Sequence, residues 1–204
     1  MPAPAPTMSP AHAKAMLKAI GFDNASRHFV AAVRGFQRGW NLGPGLDVDG
    51  DFGPLTSAAL AKSYARHLKG KPTMSAHFSY VEFRCKDGGR FPECRRVWVR
   101  RAHVRRLEAY RAAVAGSVRI VSGCRCKRHN DEVGGASSSQ HMFGSASDIQ
   151  GLLTVAQRRR LELFAGLGFD ESSGKVVHVD SRDKAGHNLT NGSPSDPTVW
   201  RYQR

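Results

Sequence analysis

The stretch from Ser139 to Asp148 limits most strongly what this chain can fold into. Its sequence, Ser-Gln-His-Met-Phe-Gly-Ser-Ala-Ser-Asp, places His141 and Asp148 among small residues. An imidazole nitrogen and a carboxylate oxygen both suit zinc, and a zinc site that performs chemistry uses three protein ligands and one open position. The fold must therefore bring a third ligand to this stretch.

The best candidate for the third ligand is His178. It lies in the apolar run Lys175-Val-Val-His-Val-Asp180, whose alternation is typical of a short buried strand. Asp180 follows on the same strand face, where it can accept a proton from water or orient a ligand. A lone histidine in an apolar strand is more often a core residue, and His129 and His187 are alternative ligands.

A basic residue and a polar loop precede His141. The β-branched run over 118–121 predicts a strand, and Arg125 follows near its end. A guanidinium there can hold a substrate carboxylate or stabilise a developing oxyanion. The glycine-rich loop over 129–140 leads directly to His141, so we expect its residues, Ser139 among them, to contact substrate.

Three separated motifs resemble, in order, the signature of the M15 zinc D-alanyl-D-alanine peptidases. They are Ser122-Gly-x-Arg125, Val133-Gly-Gly-Ala-x-x-Ser-x-His141-x-x-Gly-x-Ala-x-Asp148 and Val177-His-Val-Asp180. The resemblance spans residues 76 to 182 and is specific to the group with Streptomyces-type carboxypeptidases and many phage endolysins. It implies that zinc is bound by His141, Asp148 and His178, and that Arg125 assists with the substrate or transition state.

Two positions depart from that family pattern. Many relatives have a tyrosine where Cys124 stands, and many related enzymes carry an acidic base three residues before the last zinc histidine, where this chain has Lys175. The first change is compatible with function. The second makes Asp180 the substitute candidate for the base.

The first third of the chain predicts three helices. Ser9 as the cap and Pro10 at the first helical position begin the first helix, and Gly21 ends it. The second is predicted over about 26–40, and the third from Pro54 or Thr56 to about 67.

The connection between the second and third helices resembles the three-helix peptidoglycan-binding domain found beside many wall hydrolases. The matching residues are Val33-x-x-Phe36-Gln37 and Leu46-x-x-Asp49-Gly50-x-Phe52-Gly53-x-x-Thr56-x-x-Ala59-Leu60. In that resemblance Asp49-Gly50 and Gly53 form the tight turn, and Thr56 caps the next helix.

We therefore predict an α+β fold, with a small three-helix N-terminal domain followed by an α+β zinc peptidase domain that has a mainly antiparallel sheet. The predicted divisions are a flexible tail over 1–8, a peptidoglycan-binding domain over 9–68, a linker over 69–75 and a peptidase domain over 76–204. Within the last, helices are predicted over 97–114 and 154–167 and a strand over 176–179. The tail from 181 is predicted to be mostly irregular, with Trp200 and Tyr202 packing back.

The formal charge of +14 predicts attraction to a polyanion, which by charge alone can be nucleic acid, anionic lipid or a cell envelope. Arginines cluster over 95–106 and 158–160, where a solvated basic helix face is the simpler interpretation. With the resemblance, the predicted partners are bacterial peptidoglycan and anionic wall polymers. Nucleic acid rests on charge alone and is not favoured.

The four cysteines, Cys85, Cys94, Cys124 and Cys126, permit disulfides, a structural zinc site or free thiols. A bridge between Cys124 and Cys126 would be strained, whereas the spacing of Cys85 and Cys94 permits one, as does a cross-pairing of either to Cys124 or Cys126. None has the histidine and acid pattern of a catalytic thiol.

The N-terminus has no charged leader followed by an apolar run, and the chain has no apolar run of about 18 residues. We expect no signal peptide and no membrane insertion. The predicted function is a peptidoglycan-degrading zinc metallopeptidase, an endolysin held in the host cytoplasm until release or a virion-associated lysin. The alternative is a non-enzymatic wall-binding or virion structural protein that keeps the peptidase fold, which Lys175 favours.

Overall fold

The computed structural model describes residues 8–150, 152–159, 161–182 and 193–202. Its α-helices are α1 (Pro10–Ala19), α2 (Phe29–Gly39), α3 (Pro54–His67), α4 (Arg101–Ala113), α5 (Lys127–Glu132) and α6 (Val155–Arg159). Its strands are β1 (Ile120–Ser122), β2 (Ala146–Ile149), β3 (Gly166–Phe169), β4 (Val176–Asp180) and β5 (Thr198–Arg201). Short 3₁₀ helices lie at Tyr80–Phe83 and Gln140–Phe143.

The five strands form one sheet in the order β1-β2-β4-β3-β5. The first three pairings are antiparallel and only the β3–β5 pairing is parallel. The predicted α+β class is therefore confirmed, with a sheet that is mainly but not wholly antiparallel. In the described ranges no helix is both long and apolar enough to cross a membrane.

The predicted starts and ends of the first and third helices agree with the structure, whereas the second begins at Phe29, three residues later than predicted. The Ser9 hydroxyl accepts a hydrogen bond from the His12 N–H at 3.4 Å, as an N-cap should. Between α2 and α3 the Gln37 side chain holds the turn: its amide donates to Asp49 Oδ1 at 2.8 Å and its carbonyl accepts from Gly50 N–H at 2.9 Å. Gly50 has a φ of +82°, which explains glycine at this position.

The expected capping role of Thr56 is wrong. The helix begins two residues earlier, at Pro54, with Gly53 as its N-cap and no side-chain cap bond. Thr56 lies in the first turn, where its hydroxyl accepts from the Gln37 amide at 3.2 Å.

The three N-terminal helices pack directly on the following residues. The Tyr80 hydroxyl, fully buried, donates to the Phe36 carbonyl at 2.8 Å. Gly35 of α2 approaches the chain so closely that an added β-carbon would lie 2.2 Å from the Val97 carbonyl oxygen. The division into a wall-binding and a peptidase domain remains a proposal, and any such domains share an apolar contact.

Three predicted elements of the second half need correction. The helix predicted over 97–114 begins only at Arg101: Arg96 takes a positive φ of 66°, residues 97–99 have no regular secondary structure, and the N-cap Arg100 is extended. The loop predicted over 129–140 contains the end of α5. The helix predicted over 154–167 ends at Arg159, and Gly166 begins strand β3 instead.

The tertiary reason for strand β3 is close approach to β4. A β-carbon on Gly166 would lie 2.2 Å from Asp180 Oδ2, so only glycine allows this pairing. Local apolar spacing favoured a helix, but pairing with β4 and β5 overrides it. A strand between the ligand loop and α6 is expected from the predicted element order and is present as β2, whereas β5 lies in the segment predicted to be irregular. Trp200 and Tyr202 do pack back as expected, with ring centroids 5.2 and 5.4 Å from that of His178.

The basic clusters are only partly solvated. Arg158 is 1% exposed, and its guanidinium lies 3.5 Å from the centroid of the Tyr110 ring. Arg96 is also buried and pairs with Asp23 at 3.1 Å. Arg105 on α4 is exposed. The interpretation as one solvated basic face is therefore wrong for the two buried arginines.

We expect the Gly35→Ala substitution to destabilise the protein by about 1–3 kcal/mol, because the Val97 carbonyl would have to move to admit a methyl group. The measurement is the free energy of unfolding in urea. Gly116→Ala is the control, since its added β-carbon meets nothing nearer than 3.5 Å. Equal stability of both variants would contradict the packing described here.

Candidate metal centre

Asp148 and His178 face each other on adjacent strands. In the antiparallel pairing of β2 with β4, Asp148 lies directly opposite His178. Side chains at directly opposed positions point to the same face of the sheet, about 4.5–5.5 Å apart at their β-carbons. Both side chains are buried. The pairing therefore fixes two of the three predicted ligands without help from a loop.

His141 reaches the same point from the 3₁₀ helix Gln140–Phe143. This turn ends at Gly144, whose φ of 69° lies in the left-handed region. A β-carbon on Gly144 would also lie 2.3 Å from the Trp98 carbonyl oxygen. The glycine therefore permits the chain reversal that brings His141 over the start of β2.

The donor atoms of the three predicted ligands converge. His141 Nε2 lies 3.2 Å from Asp148 Oδ1 and 3.2 Å from His178 Nδ1, and His178 Nδ1 lies 2.8 Å from Asp148 Oδ1. Two ligands bound about 2.0–2.1 Å from a tetrahedral zinc ion lie roughly 3.3 Å apart. Two imidazoles and one carboxylate at this spacing fit zinc.

A hydrogen bond on the far side of the His141 ring leaves its other nitrogen free to bind a metal ion. The His141 Nδ1 lies 2.6 Å from the Gly123 carbonyl oxygen, which can only accept, so Nδ1 carries the proton and Nε2 is left as a donor to metal. Burial lowers the pKa of His141, with Asp148 opposing it. Burial would raise the pKa of Asp148, but the two histidines hold it far below its ordinary value.

Asp180 lies behind His178 and not in front of it. Its Oδ2 is 3.5 Å from His178 Nε2, the ring nitrogen that faces away from the other two ligands. It is fully buried and pairs with the guanidinium of Arg182 at 2.8 and 2.6 Å. Burial opposes ionisation, but Arg182 and His178 hold the pKa of Asp180 far below its ordinary value. Of the two predicted roles, the geometry favours orienting a ligand.

The charge of His178 follows from its two carboxylate neighbours. Burial alone would lower its pKa, but hydrogen bonds to Asp148 and Asp180 outweigh burial and raise the pKa to about 9. The metal-free ring is therefore protonated at neutral pH, and metal binding must displace that proton from Nδ1.

A cleft of about 280 Å³ opens beside Asp148. Arg125 lines it and its guanidinium lies 3.4 Å from Asp148 Oδ2, while the Tyr202 hydroxyl donates to the same oxygen at 2.9 Å. Burial and Asp148 together raise the pKa of Tyr202 to about 12, so it keeps its proton. The predicted substrate residue Ser139 lies at the start of the 3₁₀ helix and does not line this cleft.

Sequence reasoning missed the site roles of Tyr202 and Arg182. The run Thr198-Val-Trp-Arg-Tyr202 is rich in β-branched and aromatic residues, and this signal predicts a strand. The alternative ligand His129 is not part of the cluster, and His187 lies outside the described residues. Lys175, at the position where an acid was expected, is exposed.

A buried cluster of two histidines and one aspartate, open to a cleft with an arginine, defines a metal centre of the hydrolase type. The chain belongs to the Peptidase M15 family, whose sequence pattern matches residues 76–180. It is also 29% identical over 163 residues to the zinc D-Ala-D-Ala carboxypeptidase of Streptomyces albus G. That match covers 67% of this chain and 63% of the relative, so less than two thirds of the relative is represented.

The family match confirms the predicted M15 membership, and together with the donor set it supports zinc as the predicted metal.

We expect His141→Ala to lose one equivalent of bound zinc relative to the parent chain, because two remaining ligands hold the ion weakly. Metal content after gel filtration, measured by plasma mass spectrometry, is the test. His12→Ala removes an exposed histidine far along the chain and should keep the parental content. Unchanged zinc in His141→Ala would remove this residue from the ligand set.

Proposed function

We propose that this protein is a zinc peptidase that hydrolyses D-alanyl peptide bonds in bacterial peptidoglycan. The observation that carries the proposal is the convergence of His141 Nε2, Asp148 Oδ1 and His178 Nδ1 within 3.2 Å of one another at a cleft, in a chain of the Peptidase M15 family. The substrate follows from the name of the Streptomyces relative, which is a D-Ala-D-Ala carboxypeptidase.

When bound by these three residues, zinc would supply a Lewis acid that polarises a carbonyl and lowers the pKa of water to about 7. Arg125 lines the cleft, and its guanidinium, whose Nη2 contacts Asp148, has further N–H donors of the kind that bind a carboxylate or an oxyanion. A stem peptide that ends in D-alanine offers such a carboxylate. We assign Arg125 to binding that group or the transition-state oxygen.

Tyr202 and Asp180 hold the ligands in place. The Tyr202 hydroxyl donates to Asp148 Oδ2, which leaves Asp148 Oδ1 directed at the two histidines. Asp180 accepts from the far nitrogen of His178 and is itself fixed by Arg182. Carboxylate partners of this kind fix the ring orientation of a ligand histidine. We therefore assign Asp180 to orienting His178, in place of the base role expected from sequence.

Asp180→Asn separates the two roles of this residue. If Asp180 orients His178, zinc affinity falls about 10–100-fold and activity falls with it. If Asp180 is the base, turnover falls by about 10²–10⁴ while zinc affinity is unchanged. Zinc dissociation constants and turnover are measured on the same preparations. Glu171→Gln is the matched control. It breaks an exposed ion pair between Glu171 and Arg201, 2.8 Å apart, which has no part in the metal centre.

The proposed biological role is that of an endolysin or a virion-associated lysin. Support comes from the formal charge of +14, which favours an anionic wall, and from the resemblance of the first three helices to a peptidoglycan-binding domain. A cavity of about 710 Å³ beside α2 is larger than the cleft at the metal centre and has a cationic lining that suits wall anions, with Arg27, Arg34, Arg38 and Arg95. Its size does not make it the active site, because it holds none of the three ligands.

A second candidate function is a non-enzymatic wall-binding or virion structural protein. Lys175 favours it, because this exposed lysine stands where many relatives carry an acidic base. The metal centre alone does not distinguish the candidates, since both can keep the ligands.

Digestion of purified peptidoglycan separates the two candidates. We expect the parent chain to release D-alanine or to open cross-links, to stop when a chelator is present, and to recover with zinc. The released fragments, identified by mass spectrometry, show which bond is cut. An intact, zinc-loaded chain that binds the wall and releases no fragment would support the structural candidate and contradict the enzyme.

A further inference from the structure

A second group of metal-binding side chains lies apart from the cleft. The Sγ atoms of Cys85, Cys94 and Cys126 and a carboxylate oxygen of Asp87 all lie within 4.8 Å of one another. All four residues are buried. Cys85 follows the 3₁₀ helix Tyr80–Phe83, Cys94 ends the loop after it, and Cys126 is the N-cap of α5. Three chain segments therefore meet at one point.

Disulfides do not account for this group. Three thiols cannot pair completely among themselves, and none of the four cysteines is in a disulfide in this structure. The fourth, Cys124, is outside the group, and its Sγ accepts a hydrogen bond from the Trp98 N–H at 3.2 Å. It therefore has a separate place in the core.

Backbone N–H groups point at the three sulfurs. The Cys126 N–H donates to Cys85 Sγ at 3.4 Å, and the backbone N–H groups of Arg96 and His129 donate to Cys94 and Cys126. Hydrogen bonds to a sulfur favour its charged form. The thiolate is the form that binds metal.

Asp87 adds an unsatisfied buried oxygen to the group. It is 1% exposed, and its Oδ2 has no hydrogen-bond partner among the described residues. Its other oxygen pairs with Arg96 and accepts from Gly89 N–H at 3.3 Å. A buried carboxylate oxygen without a partner is costly, and a cation beside it removes that cost.

We propose that Cys85, Cys94, Cys126 and Asp87 hold a structural zinc ion. Four ligands from the protein close the coordination shell, which is the mark of a structural and not a catalytic zinc site. Soft thiolates select zinc over calcium or magnesium. The loop from 85 to 94 has no helix or strand of its own. The ion stabilises this loop by binding its side chains at one point.

The ion would also support the metal centre indirectly. Cys126 directly follows Arg125, whose N–H donates to the His141 carbonyl at 3.1 Å. The Gly123 carbonyl, in the same segment, accepts from the His141 ring. Fixing the end of this segment at Cys126 restrains both contacts. The two sites share no ligand.

Cobalt substitution tests the site without relying on activity. The ligands of the metal centre in the cleft contain no sulfur, so a sulfur-to-cobalt charge-transfer band in the near ultraviolet reports only the cysteine site. We expect that band in the cobalt-loaded parent and, undiminished, in His141→Ala. We also expect the parent to bind about two zinc ions per chain and His141→Ala about one. These outcomes do not depend on whether the chain is a peptidase.

Cysteine variants identify the ligands. Cys94→Ser should lose the band, and Cys124→Ala, which removes a buried thiol outside the group, should keep it. Because Cys94→Ser can fail to fold, X-ray absorption of zinc in His141→Ala gives a second reading, with zinc–sulfur distances of about 2.3 Å expected. Absence of sulfur around zinc there, or a Cys85–Cys94 disulfide in the metal-free native chain, would overturn the proposal.

The fourth ligand has its own pair of variants. Asp87→Asn should weaken cobalt binding at the cysteine site, whereas His129→Gln should leave it unchanged. His129 is the informative comparison because its ring Nδ1 is buried and has no hydrogen-bond partner among the described residues. The reverse result would overturn the assignment of Asp87.

Discussion

The structure depends most on the carboxylate of Asp148, which contacts four other side chains. One oxygen faces both His141 and His178, and the other is held by Arg125 and by the Tyr202 hydroxyl. Five parts of the chain meet through this one group. A buried carboxylate is stable only when cations or hydrogen-bond donors surround it. Its surroundings therefore bind the sheet, the 3₁₀ turn and the C-terminal strand into one site.

A second layer of contacts holds the strands that carry Asp148 and His178 in position. Asp180 joins the back of His178 to Arg182, and Gly166 leaves room for its carboxylate. On the other face of β2, the ring of the fully buried His103 lies 2.7 and 2.9 Å from the hydroxyls of Ser181 and Ser147. Burial lowers the pKa of His103 to about 3, so this ring is neutral. The ligand strands are thus fixed from both sides.

The parts of the site that sequence predicts are those with a local signal. His178 lies in an alternating strand, and the small residues between His141 and Asp148 mark a tight turn, so sequence could single out three residues whose donor atoms the structure brings together. Tyr202 lies 54 residues from Asp148 and meets it only through the β3–β5 pairing. The helix expected over 154–167 was wrong because its apolar spacing does not show that Gly166 must lie against Asp180. Asp180 lies beside Nε2 of His178, the ring nitrogen that faces away from the other two ligands. Sequence spacing alone does not show this position, which favours an orienting role for Asp180.

Anomalous X-ray diffraction at the zinc edge on crystals of the zinc-loaded chain tests the central claim most directly. The account predicts a zinc peak bonded to His141 Nε2, Asp148 Oδ1 and His178 Nδ1, with the remaining position facing the cleft that Arg125 lines. The three protein bonds should measure about 2.0–2.2 Å. No zinc at this position in a fully loaded crystal, or zinc bound without one of these three side chains, would contradict it.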